Sequence, residues 1–117
     1  MAAVLSQAAT VSSRPVVVYR ETGRFGGWPA NHGIWSWGNE ILVGFSAAWH
    51  KAQPSDRHQQ DHDKPEEPRL ARSLDGGETW TIETSRDLLP PNQGGRQPQD
   101  LSEAIDFQRP GFAMTIR

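Results

Sequence analysis

Ser73-Leu74-Asp75-Gly76-Gly77-Glu78-Thr79-Trp80 is the stretch on which the fold turns. An Asp that opens a Gly-rich turn accepts hydrogen bonds from the backbone N–H groups ahead of it. Gly supplies positive φ without a Cβ clash, and Thr adds a second local hydroxyl. Trp80 then covers the turn with a large apolar face. Residues 69–73 (RLARS) have strand character before the octet, and 79–83 (TWTIE) alternate cleanly after it. The octet is therefore predicted to be the bend of a β-hairpin, with Asp75 stabilising the turn and taking no part in catalysis.

Working outward, residues 33–37 (GIWSW) and 41–46 (ILVGFS) are two strand-like runs joined by Gly38-Asn39-Glu40, the composition of a tight hairpin. Upstream, 16–19 (VVVY) is a short β-branched run between Pro15 and the turn-prone Thr22-Gly23, and is predicted to be a strand. The intervening 26–33 (GGWPANHG) holds too much Gly and Pro for a regular element and is predicted to be a shaped loop carrying an aromatic. Between the two hairpins, 50–68 is a long polar loop with no periodicity, and 85–103 is again rich in Pro, Gly and Gln. A further strand is predicted to start at 112–116 (FAMTI). Two hairpins at this spacing define an all-β chain with one antiparallel four-stranded sheet, either a propeller blade or a piece of a sandwich. Only one copy of the unit is present, so repetition does not choose between them.

Bulk properties narrow the partners. The 117 residues allow one domain, and nine prolines with eleven glycines argue against long helices. Twelve Lys and Arg against fourteen Asp and Glu give a net charge of −2 with no basic stripe, a poor match to nucleic acid. No cysteine is present, which removes disulfides and thiolate metal sites. The first ten residues lack the basic and sustained apolar regions of a secretory signal, and no apolar run reaches the ~20 residues of a membrane span. A soluble chain with a flexible leader over 1–15 is expected, its compartment undetermined.

The octet fits the Asp-box pattern Ser/Thr-x-Asp-x-Gly-x-Thr-Trp at Ser73, Asp75, Gly77, Thr79 and Trp80. With its flanks, and with the Trp28-Pro29-Ala30-Asn31-His32-Gly33 segment, the chain resembles the sialidase (neuraminidase) superfamily. The resemblance covers about 16–84 and the start of another unit from Asp106. It implies a six-bladed β-propeller represented by an incomplete part over 16–117, with a first blade at about 33–84 and a second beginning at about 106–117. It also implies a structural Asp-box and a parent protein that is an exo-sialidase-like glycoside hydrolase acting on a sialic-acid-type glycan, without a cofactor. A non-enzymatic Asp-box propeller that binds carbohydrate or protein is the alternative.

Strand parity puts 28–32 and the 50–68 loop on one rim and the Asp-box on the other, so the candidate site is expected at the former. The family's Arg-Ile-Pro arginine position is occupied here by Gly27, leaving Arg24 or Arg20 to reach the same space, against the plainer reading of a solvated arginine. Asn31 and His32 are candidates for sugar hydroxyls, and Trp28 and Trp49 for stacking platforms, whereas Trp35 and Trp37 share a strand face and suit packing. The resemblance places a general acid on the 50–68 loop, for which Asp63 and Asp61 are the candidates. Such a group needs a raised pKa, which the neighbouring Glu66 and Glu67 would supply; a hydrated acidic loop is the competing reading. His50, His58, Asp61, His62, Asp63 and Glu66 include metal-ligand types, but their spacing matches no ligand motif and no metal is expected. The family also needs a Tyr nucleophile with a Glu, and further arginines, from later blades. The one tyrosine, Tyr19, lies outside any such motif, so no sialoside hydrolysis is expected of these residues alone.

Overall fold

The computed structural model describes residues 12–84 and 91–114. Its centre is the ten-residue strand Glu40–Trp49, buried continuously from Leu42 to Ala48. A strand reads as an unbroken apolar and small-residue run when both of its faces are covered. In chain order the elements are β1 (Arg24–Gly27), the single helical turn α1 (Pro29–His32), β2 (Ile34–Trp37), β3 (Glu40–Trp49), β4 (Glu67–Ser73) and β5 (Thr81–Glu83). All strands join one antiparallel sheet.

Among the described residues five strands occupy four positions. β2 pairs with the first half of β3, from Trp37↔Glu40 to Ile34↔Val43, through a turn at Gly38-Asn39 in which Gly38 takes φ 62°. A glycine at the first central position is the type II′ requirement of a two-residue hairpin. β1 pairs with the other half of β3, from Gly27↔Ser46 to Arg24↔Trp49. The edge position is thus one strand interrupted by α1, and Gly44 N–H donating to Gly33 O at 2.9 Å resumes the ladder after the excursion. On the other side of β3 lie β4, in register from Ile41↔Ser73 to Ala47↔Glu67, and then the short β5.

The pleat sorts side chains by parity. Val43, Phe45, Ala47 and Ala71 form the apolar core on one face, with Val18, Tyr19, Ile41 and Trp80 packed against it. Burying Phe45, 4% exposed, contributes about 1.5–3 kcal/mol. The opposite face carries Leu42, Gly44 and Ser46, and there Arg72 donates to Glu83 at 2.8 Å and also bonds Glu40, tying β3, β4 and β5 together.

Three expectations need correction. Residues 16–19 form no strand: Val18 and Tyr19 lie on the core face, Tyr19 packing against Phe45 with ring centroids 4.8 Å apart and planes tilted by 44°, and the edge they would have filled is taken by β1. The sheet begins at Arg24. The predicted loop over 26–33 is in part strand because Gly26 and Gly27 are needed there: a Cβ on Gly26 would meet the Tyr19 ring at 2.9 Å, and one on Gly27 the Phe25 ring at 2.7 Å. Lastly, 112–114 are not in a strand, while Thr115 and Ile116 lie outside the described residues, as do 1–11 of the expected leader. Among the described residues no helix is long and apolar enough to cross a membrane.

Candidate functional site

The Asp-box bend closes on itself. Asp75 Oδ1 accepts from the N–H groups of Glu78 at 3.0 Å and Thr79 at 2.9 Å and from the Ser73 hydroxyl at 2.8 Å, while Oδ2 accepts from the Thr79 hydroxyl at 2.5 Å. Ser73 Oγ in turn accepts from Gly77 N–H at 2.8 Å, and Trp80 Nε1 donates to Gly77 O at 2.9 Å. Gly76 and Gly77 have φ 76° and 96°, values that admit few side chains, and Gly76 N–H donates to Asn39 O at 2.8 Å, linking the two hairpin ends. The Thr79 hydroxyl and N–H, followed by the Ser73 hydroxyl, hold the Asp75 carboxyl down at about 2. Both carboxylate oxygens are engaged locally, as a turn-stabilising Asp requires.

The far end of the sheet is built differently. The 50–66 loop is organised by its glutamines. The Gln59 side chain accepts from Gln53 N–H and donates to Gln53 O, both at 2.9 Å, imitating a strand bridge. His50 and Gln60 form a real one, and Asp61 N–H donates to Trp49 O at 2.8 Å. The loop then folds back over the face carrying Ser46. With α1 it encloses a groove of about 610 Å³ lined by Trp28, Asn31, His32, Ser46, Gln60, His62, Lys64, Pro65 and Glu66. Residues 28–32 reach this groove from midway along the sheet edge, as the excursion between β1 and β2, and not from the rim itself.

Gly44 makes the groove floor possible, since a Cβ there would lie 2.7 Å from His32 Cβ. His32, buried across Gly44, has Nε2 3.0 Å from Ser46 Oγ. Trp28 takes a left-handed conformation, φ 54° and ψ 42°, unusual for a bulky residue and of the kind that surrounding structure must enforce. Its ring is edge-on to Phe25 at 5.5 Å and to His58 at 5.3 Å. Gln60 is 4% exposed; its Nε2 donates to Glu66 at 3.2 Å.

The sequence candidates divide between two places. Trp28, Asn31 and His32 share the groove. Arg24 and Trp49 do not line it. Both project on the core-side face, where the Arg24 guanidinium lies 4.6 Å from the centre of the Trp49 ring, donates to Ala47 O at 3.1 Å and stands 3.9 Å from Glu67. Its side chain is 6% exposed, so the guanidinium is held inside the sheet's own packing.

Neither candidate acid has the expected environment. Burial would raise the Asp61 pKa, but Asp63 N–H and the ammonium groups of Lys51 and Lys64, at 3.4 and 3.5 Å, outweigh it and hold Asp61 below the ordinary range. That is the opposite of what a proton donor needs. Asp63 is 85% exposed and pairs with Lys51 at 3.0 Å. Glu66 serves Gln60, and Glu67 pairs with Arg69 at 2.6 Å. Among the described residues no three His, Asp or Glu side chains are placed to hold a metal ion. Tyr19 donates to Glu21 at 2.9 Å, and burial, followed by that bond, raises its pKa.

Sequence reasoning did not find Ser46, Gln60 or Lys64. Ser46 is a lone hydroxyl in a buried strand run, a signal that was available; Gln60 sits in a polar loop where nothing distinguishes it. Compared with known proteins, the chain matches no family model, no curated protein and no solved structure.

Proposed function

We propose that the chain is one blade of a sialidase-like Asp-box propeller and that these residues bind a carbohydrate in the groove over Gly44 without cleaving it. The observation that carries the reading is the hydrogen-bonded octet, in which Ser73, Asp75, Gly77, Thr79 and Trp80 each perform the role the Asp-box pattern requires of them. The groove supports it with an aromatic wall at Trp28 beside amide, hydroxyl and carboxylate groups, the mixture that suits a sugar ring and its hydroxyls. On this reading the parent protein is a glycoside hydrolase whose Tyr, Glu and further arginines come from other blades.

A second reading, a non-enzymatic binding propeller, is favoured by two observations: Arg24 is engaged with Trp49 and Glu67, and Asp61 is held ionised between two lysines. Assaying the chain against a fluorogenic sialoside and titrating it with glycans by NMR tests the proposal. No hydrolysis together with saturable binding is the expected result; hydrolysis, or no glycan binding at all, contradicts it. An extended chain that cleaves the sialoside and loses that activity in Asp61→Asn or Asp63→Asn selects the hydrolase over the binding propeller.

A further inference from the structure

Gln60 sets the chemistry of the groove. Its amide orientation is determined by its neighbour: the Glu66 carboxylate only accepts, so the end facing it at 3.2 Å is the NH2 group. The other end, Oε1, is buried and accepts no hydrogen bond from any described residue. A buried acceptor left in that condition is costly, and a ligand donor that reaches it gains correspondingly. Glu66, exposed on the same wall, adds two more oxygens that only accept. Among the described residues no arginine lines the groove, and its one ammonium, Lys64, is 3.5 Å from Asp61 and 5.1 Å from the centre of the Trp49 ring.

We infer that the groove selects an uncharged, hydroxyl-bearing ligand, a neutral sugar ring with one hydroxyl donating to Gln60 Oε1, over an anionic one. An acidic sugar keeps its ring hydroxyls but brings its anionic group beside the Glu66 carboxylate, whereas a neutral pyranose supplies the same donors without that charge and lays an apolar face on Trp28. The inference rests on the carbohydrate reading above but reverses the preference for an acidic sugar that the family resemblance implies.

The test uses the full chain and three probes at low ionic strength: a methyl hexopyranoside, the uronic acid glycoside of the same ring, and the methyl glycoside of N-acetylneuraminic acid. The neutral glycoside is expected to bind about tenfold or more tighter than either acid, and Gln60→Met to weaken it about tenfold. Because Gln60→Met also removes the bond to Glu66, a deoxy series on the unaltered protein provides an independent readout. One deoxy position is expected to lose about tenfold where the others lose little. Tighter binding of either acid overturns the inference and leaves the carbohydrate groove standing. Equal affinity across the deoxy series, or an unchanged affinity in a folded Gln60→Met, also overturns it. Failure of all three probes removes the groove reading as well.

Discussion

The Asp-box bend and the groove, at different places on the same sheet, treat polar groups in opposite ways. In the bend, Ser73, Asp75 and Thr79 spend their hydrogen-bonding capacity on one another and on the Gly77–Thr79 backbone. In the groove, Gln60 keeps an acceptor that no described residue satisfies, and Trp28 is held in a strained backbone conformation. Self-satisfaction marks a structural device, and unspent capacity in a concave place marks a binding site. The acidic loop beside the groove contains both kinds: Asp61 and Asp63 are tied to lysines, whereas Glu66 faces the open space.

The largest expected effect separates the two regions from the groove side. In Gly44→Val the new side chain meets His32 Cβ at 2.7 Å and the His32 backbone at 3.3 Å, so α1 must shift or the strand must bend. A loss of about 3 kcal/mol in denaturant unfolding is expected, with glycan binding abolished. Amide protection at Gly77, Glu78 and Thr79, measured by hydrogen exchange under native conditions, should drop only as far as global stability does. Selective loss of protection in the bend would mean that the two regions are not independent.

Breaking the bend instead should leave the groove chemistry intact. Asp75→Ala strands two backbone N–H groups and two hydroxyls, and is expected to lower the melting temperature by about 5–10 °C while glycan affinity in the folded protein changes less than about twofold. The same carboxyl sets an acid transition. Its pKa is depressed to about 2, so its contribution is complete above about pH 4, the unfolded value, and is lost as pH falls through about 2. Replacing Asp75 with Asn is expected to remove that portion of the acid dependence. An acid limb unchanged in Asp75→Asn would show that the carboxylate is not organised as described.

The smallest expected effect sharpens the contrast within the loop. Asp63 is 85% exposed and, among the described residues, pairs with Lys51, so Asp63→Asn is expected to change stability by less than about 0.5 kcal/mol and to leave glycan affinity unaltered. A tenfold change in binding would return Asp63 to the site.

What was legible in the sequence follows the same division. The bend and both hairpins were readable because their information is local: Gly38-Asn39 and Asp75-Gly76-Gly77 specify turns within a few residues, and the flanking alternation shows the strands. Gly26 and Gly27 misled because glycine usually interrupts a strand, and here it admits the rings of Tyr19 and Phe25, a demand made by side-chain packing that no local pattern displays. Residues 16–19 misled in the opposite sense, since a β-branched run suits a strand and suits equally a segment laid on an apolar face. The groove was half readable: Trp28, Asn31 and His32 stood out as an odd polar and aromatic cluster, but Gln60 acquires its meaning only when the loop bridge at His50 turns it over Ser46.

Backbone amide shifts of the full chain, followed by NMR during titration with the neutral methyl hexopyranoside, test this division of labour most directly. Perturbations confined to residues 28, 30–33, 60–64 and 66, with the Ser73–Trp80 amides unmoved, are the predicted result. Saturable shifts in the octet, with the groove residues silent, would contradict it.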